Sequence, residues 1–335
     1  MMASYVFYGI KQHVLPIYVA LGVAQFAKRR FILSSLRLSA RVAGGLVVLS
    51  WLINSVKMHV GPLQPETPEG ERSYAVVTGA SSGIGKEIAF ELAERGFNLV
   101  LVGRNESSLD SASTYILDKL AAAAEVKEEA PTNQKRSRRR NRKVAGVRQA
   151  QVDGITMVMM PCDVSNSTEC SSLHTKVNSM DLNVSVLVNS AGVCWVDDLI
   201  ETPTDTLEQI INTNVVGSTY LAALFGADMK KKGRGRLLFV SSISAAAPNP
   251  SVATYAATKA YISSFASALK AELEPFGVGV TCSAPGATRT AFSERSNAGS
   301  ALTFTLPGFS MNATNVAEES VEAMLRADGL VVPGS

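Results

Sequence analysis

From residue 73 onward, short apolar runs alternate with longer stretches whose apolar positions recur at helical spacing. Runs at 74–77, 97–102, 155–159, 184–188, 236–240 and 278–282 read as strands, and a last one lies at 330–332. Helix-length segments follow most of them. That alternation implies βαβ units and a doubly wound parallel sheet, an α/β chain with one domain over 73–335.

Two parts of the chain break the rhythm. Residues 1–65 contain no Asp or Glu, while Lys11, Lys28, Arg29, Arg30, Arg37, Arg41 and Lys57 are basic. Apolar runs at 14–27 and 42–56 are each shorter than a span of roughly 20 residues. Apolar runs with basic flanks predict a membrane anchor or hairpin over 1–60. An organellar targeting segment and a pair of core helices are the competing readings. A linker over 61–72, with Pro62, Pro65 and Pro68, then leads into the domain. The second break is 121–151, which carries Pro131 and an almost wholly basic run at 135–143. It is expected to be a solvated, disordered insertion. Contact with anionic lipid or nucleic acid is the alternative, but no aromatic residues interleave the charges.

Composition adds exclusions. A net charge of +3 over 335 residues is too small to argue for a polyanionic partner. Cys162, Cys170, Cys194 and Cys282 form no CxxC pair and read as reduced thiols. His13, His59 and His174 lie far apart, so no metal site is expected.

After the first strand comes Thr78-Gly79-Ala80-Ser81-Ser82-Gly83-Ile84-Gly85. Glycine at 79 permits a tight turn, Gly83 lets backbone approach a pyrophosphate, and Gly85 lets the next helix pack close to the sheet. The helix then aims its free N–H groups at the phosphates. A Rossmann-type dinucleotide site over Gly79, Ser81, Ser82, Gly83, Ile84 and Gly85 is expected. Where an NAD site carries a carboxylate after its second strand, this chain has Val102-Gly103-Arg104-Asn105. A carboxylate would repel a 2′-phosphate and Arg104 would grip one, so the expected cofactor is NADP(H).

At Tyr255-Ala256-Ala257-Thr258-Lys259 a Tyr and a Lys stand four apart, on one face of a helix. A phenol titrates near 10, and a nearby ammonium favours the phenolate. Such a tyrosine can exchange a proton with a carbonyl oxygen. Thr78–Gly85, Asn189-Ser190-Ala191-Gly192, Asn214, Ser242, Tyr255 with Lys259, and Pro285-Gly286 occur together in this chain. In order and spacing they resemble the short-chain dehydrogenase/reductase family, over roughly 73–332 apart from the basic insertion.

That resemblance implies a set of roles. Tyr255 would be the general acid/base, and Lys259 would hold the nicotinamide ribose and depress the tyrosine pKa. Ser242 would hydrogen-bond the substrate oxygen, with Ser241 and Ser244 as close competitors. Asn214 would hold a water in the proton relay. Asp163 and Val164 would lie near the adenine, although Asp163 also reads as a helix N-cap. Asn189, Ala191 and Gly192 would line the cofactor, with Ser190 where the family often has a second Asn. Pro285, Gly286, Thr288 and Thr290 would meet the nicotinamide amide. The basic insertion, and a chain ending at Ser335 soon after the 330–332 strand, depart from the family pattern.

The resemblance further implies NADPH-dependent reduction of a lipophilic ketone, or the reverse oxidation. A fatty-acyl or sphingoid ketone is favoured by an anchor combined with an apolar 287–313 region. Homo-oligomers are common among such relatives. The alternative is a cofactor-binding membrane scaffold that uses the basic insertion. Sequons stand at Asn105, Asn166, Asn183 and Asn312, and a glycan at Asn105 would obstruct the cofactor edge. The catalytic domain is therefore expected on the cytosolic side of the endoplasmic reticulum membrane, with a mitochondrial or other organellar membrane as the alternative.

Overall fold

A computed structural model describes residues 60–67, 70–128, 140–144, 147–152, 154–296 and 310–335. The expected anchor over 1–60 lies outside the described residues except for Val60. The strands are β1 (Tyr74–Thr78), β2 (Asn98–Gly103), β3 (Arg140–Val144), β4 (Val147–Val152), β5 (Ile155–Pro161) and β6 (Val184–Asn189). They continue with β7 (Gly235–Val240), β8 (Val278–Ser283), β9 (Thr288–Arg289), β10 (Met311–Asn312) and β11 (Leu330–Val331). The helices are α1 (Gly83–Glu94), α2 (Glu106–Glu128), α3 (Ser167–Ser179), α4 (Thr204–Ile211), α5 (Ser218–Lys232), α6 (Ala253–Leu273), α7 (Phe292–Arg295) and α8 (Ala313–Leu325).

The sheet runs β11-β8-β7-β6-β1-β2-β5-β4-β3. Its first seven strands are mutually parallel. The expected doubly wound α/β architecture is the one found. Successive strand residues face opposite layers. In β1, Val77 joins Ile88 and Leu92 of α1, Ile116 of α2 and Val321 of α8. Its neighbour Val76 joins Leu173 of α3, Phe225 of α5 and Ile262 of α6 on the other face. With helices on both faces, the central strands are buried along their length, so their sequences are mostly apolar on both faces rather than alternating. Strand order reverses at β1, which sits between β2 and β6. The carboxyl ends of these strands open the crevice where such folds hold ligands.

The 121–151 stretch differs from the expectation of a disordered insertion. Helix α2 continues through Ala121-Ala122-Ala123-Ala124 to Glu128, because alanine, glutamate and lysine are strong helix formers. Beyond residues 129–139, which lie outside the described set, β3 and β4 form an antiparallel hairpin on β5. Register pairs Val152 with Ile155 and Arg148 with Met159. Pairing satisfies the β5 backbone that would otherwise be a bare edge.

Among the described residues, one helical stretch, Thr204–Lys232, is long and apolar enough to cross a membrane, and half of it is buried within the domain. It comprises α4, a π-helical turn at Asn212–Gly217, and α5. Below the sheet, the 61–66 segment is tied to β7. Arg234 donates to Gln64 O (2.6 Å) and Glu66 O (2.7 Å), and Arg236 donates to Gly61 O and Leu325 O.

Candidate active site

The glycine turn after β1 is built by close approach. Gly79 has φ +66°, and a Cβ there would meet Ala191 Cα at 2.9 Å. A Cβ on Gly85 would stand 2.5 Å from Gly79 O, so only glycine lets α1 start this close to the turn. The turn is braced by Thr78, whose Oγ1 donates to Val188 O and accepts from Ser190 N and Ala191 N, each at 3.1 Å. One threonine thereby locks Asn189–Gly192 beside the crevice. Ile84 packs on the core below, and Ser81 Oγ approaches Gly103 at the end of β2.

Arg104 follows Gly103, is exposed, and has no ion pair among the described residues. Asp163 and Val164 follow β5 on the adjoining strand. Asp163 accepts from Ser165 N (3.0 Å) and Ser165 Oγ (2.8 Å). It does not cap α3; Asn166 does, accepting from Thr168 N and Glu169 N. Asn105 likewise accepts from Ser108 N at the start of α2, and Asn312 from Thr314 N at the start of α8. Three of the four sequon asparagines are thus helix caps, so the Asn-x-Ser/Thr pattern has a structural origin.

The crevice passes a fit test for a dinucleotide on its own geometry. Asn189, at the end of β6, is 4% exposed, yet neither polar atom of its amide has a partner. A buried amide without partners is costly and marks a place where a ligand or water belongs. The glycine turn and the exposed Arg104 supply the anion-binding groups beside it.

On α6, Tyr255 and Lys259 share a face, with Lys259 Nζ 5.6 Å from the Tyr255 ring centroid. Lys259 is 6% exposed and donates to Val240 O at 2.7 Å. Burial lowers its amine from 10.5 to about 8. Burial also raises the Tyr255 phenol, with Cys194 adding to the rise and a hydrogen bond with Ser242 opposing it. Desolvation sets the direction of that shift, opposite to the depression expected from Lys259.

Ser241 Oγ is engaged with Lys259 O (2.9 Å) and Ser263 Oγ (2.7 Å). Ser242 is near enough to Tyr255 to oppose the rise of its phenol, and its hydroxyl accepts from Ser244 N at 3.1 Å. Asn214 sits buried in the π-helical turn. It accepts from Val193 N (2.9 Å) and donates to Val193 O (2.9 Å) and Thr258 Oγ1 (3.0 Å). Gly217 closes that turn; a Cβ there would come within 2.2 Å of Val164 O. A Cβ on Gly192 would touch Asn214 Oδ1 (3.4 Å) and Lys259 Nζ (3.5 Å), so Gly192 lies where Asn214 and Lys259 converge.

Pro285 and Gly286 lead from β8 past Ser242, with Ile243 N bonded to Pro285 O (3.1 Å). Thr288 Oγ1 donates to Gly286 O, and Thr290 packs on Gly83. Residues that sequence reasoning missed include Thr78 and Thr258 as braces. Another is Cys194, its thiol pushed up to about 11 by burial, while Phe292 of the expected apolar 287–313 region has its ring centroid 5.9 Å from that of Tyr255. Only Thr258 had a signal, its place just before Lys259.

Comparisons with known proteins agree with this geometry. A family model described as short chain dehydrogenase matches residues 73–136 and 120–301. A very-long-chain 3-oxoacyl-CoA reductase of Ajellomyces capsulatus is 32% identical over 215 residues, covering 64% of this chain and 53% of that protein. One from Pyrenophora tritici-repentis is 30% identical over 242 residues, covering 71% and 62%. The chain thus spans little more than half the length of such relatives. Among solved structures, a short-chain dehydrogenase from Sphingobium yanoikuyae in complex with NADPH has a TM-score of 0.63 at 24% identity, covering 78% of this chain and 88% of that one. A bulky-bulky ketone specific alcohol dehydrogenase from Comamonas testosteroni has a TM-score of 0.60 at 23% identity, covering 78% and 86%. At these identities the structural likeness concerns the fold.

Proposed function

Because the chain belongs to the short-chain dehydrogenase family, we propose that it reduces a lipophilic ketone with NADPH, Tyr255 donating the proton to the carbonyl oxygen. The carrying observation is a desolvated phenol, with Ser242 near enough to lower it, on one helix face with a buried lysine. Bound nicotinamide would supply the hydride. Gly79, Ser81, Ser82, Gly83, Ile84 and Gly85 would hold the pyrophosphate end and Arg104 the 2′-phosphate. Asp163 and Val164 would border the adenine, with Asn189, Ala191, Gly192, Pro285, Gly286, Thr288 and Thr290 along the nicotinamide half.

The chain's own groups divide the acid–base work. Desolvation keeps Tyr255 protonated through neutral pH, the form a reduction needs in its proton donor. Ser242 Oγ, close to that phenol, would fix the carbonyl oxygen beside it. Once the proton leaves, the Lys259 ammonium stabilises the phenolate. Asn214 spends its amide on Val193 and Thr258, and so holds the backbone around the relay in place.

For the substrate we favour a long-chain 3-oxoacyl thioester. Relatives at 30–32% identity carry the name very-long-chain 3-oxoacyl-CoA reductase, and Phe292 puts an apolar ring against Tyr255. Attachment to the endoplasmic reticulum membrane through residues 1–60, with a cytosolic domain, is supported by the acid-free, basic N-terminus and by the sequon asparagines that serve as caps.

Full-length protein in detergent is expected to oxidise NADPH with 3-oxoacyl-CoA substrates, with kcat/KM rising with acyl length. Tyr255→Phe should lose at least about 100-fold in kcat while still binding NADPH. Unchanged turnover in Tyr255→Phe, or a wild-type chain that binds no pyridine nucleotide, refutes the reading.

A further inference from the structure

The glycine turn meets a cation from the far end of the sequence. Arg295, the last residue of α7, donates from Nη2 to Ser82 Oγ at 2.7 Å and from Nε to Ala291 O at 3.1 Å. Both acceptors are neutral, and among the described residues no carboxylate pairs with this guanidinium. The segment that carries it is held against the turn: a Cβ on Gly83 would stand 3.1 Å from Thr290 Cγ2.

Ser82 is the N-cap of α1, a 12-residue helix, and its hydroxyl caps no backbone amide. The first turn has no acidic residue. A guanidinium beside the positive end of a helix is electrostatically unfavourable unless an anion lies between them. The crevice also carries an independent sign of a ligand in the buried, unpartnered amide of Asn189.

We propose that Arg295 is a cofactor-binding residue, which exchanges the Ser82 hydroxyl for the dinucleotide pyrophosphate and holds it against the N-terminus of α1. The proposal rests on reading this crevice as a pyridine-dinucleotide site. It separates two cations by the phosphate each one meets. Arg104 stands at the end of β2, beside Gly103, where Ser81 Oγ approaches. It faces the 2′-phosphate, which only NADPH carries. Arg295 faces the pyrophosphate, which NADPH and NADH share.

The test titrates NADPH and NADH onto full-length protein, following nicotinamide fluorescence, for wild type, Arg295→Met and Arg104→Met. Loss of Arg295 should raise Kd for both nucleotides by the same factor, roughly tenfold or more, the scale of one hydrogen bond to a charged group. Loss of Arg104 should raise Kd for NADPH alone. Arg295→Lys should recover part of the affinity for both nucleotides, since it keeps the charge. Arg295 is exposed, so its variants should melt with wild type when no nucleotide is present; should Arg295→Met not fold, Arg295→Lys and Arg295→Gln carry the same comparison. Unchanged Kd values in the Arg295 variants overturn the proposal, and so does a rise confined to NADPH, which would give Arg295 to the 2′-phosphate. Wild-type protein that binds neither nucleotide removes the dinucleotide reading itself.

Discussion

Replacing Lys259 by methionine should make the protein more stable at neutral pH while abolishing its activity. The amine is 6% exposed, and burial brings it from 10.5 to about 8. At about 1.4 kcal/mol per tenfold change, folding around the charged form costs about 3 kcal/mol below pH 8. Methionine removes that cost and fills a similar volume. It also removes the donor to Val240 O, and an orphaned buried carbonyl costs about 1 kcal/mol. The net expectation is about 2 kcal/mol of added stability at pH 7. The pH dependence follows from proton counts. Between about pH 8 and 10.5 the unfolded chain keeps the lysine proton and the folded chain has released it, so wild-type stability rises with pH in that window. The methionine variant lacks this gain, while the raised Tyr255, present in both proteins, largely cancels from their difference. Urea unfolding of the full-length protein in detergent at pH 7 and pH 9.5, followed by tryptophan fluorescence, measures the gap. It should nearly close at the higher pH. A gap that is the same at both values, or a variant less stable at pH 7, refutes the reasoning.

Two further substitutions probe the scaffold. Gly217→Ala drives a methyl to 2.2 Å from Val164 O and should cost about 1–3 kcal/mol, read as a lowered Tm; an unchanged Tm would mean the π-helical turn can relax around it. Arg236→Leu removes a guanidinium that burial has lowered to about 10 and that is bonded to Gly61 O, Gly235 O and Leu325 O. Its desolvation cost and its hydrogen bonds are of similar size, so global stability should change by less than about 2 kcal/mol. The 61–66 segment should nevertheless be cut faster by protease, and equal cleavage rates would refute its role as a tether.

Much of the fold was legible because the parallel strands are buried on both faces, which leaves short runs that are mostly apolar instead of alternating. The run at 184–188 became β6 with one residue added, and the run at 278–282 became β8 likewise. The glycine turn was legible for a similar reason, since Gly79 and Gly85 stand where no Cβ fits. What the sequence hid depends on distance along the chain. Composition made the 121–151 stretch look unstructured, yet the hairpin there is held by backbone pairing with β5, which no side-chain pattern announces. That the Ser241 hydroxyl is already occupied needed the position of Ser263, its partner. The direction of the Tyr255 shift was hidden because burial dominates it, and burial of one phenol is a property of the assembled site. Arg295 escaped notice because its partner lies 213 residues away.

The hairpin that closes the sheet also changes what a neighbouring molecule would encounter. Without it, the outermost strand would be Ile155–Pro161, a methionine-rich segment with open backbone groups along one side. Such a border invites a second molecule to add its own strand. With it, the outermost strand is Arg140–Val144, whose sequence holds three basic residues in five, a composition that discourages pairing at a sheet edge. The basic tract, whatever else it meets, makes this sheet a poor template for self-association.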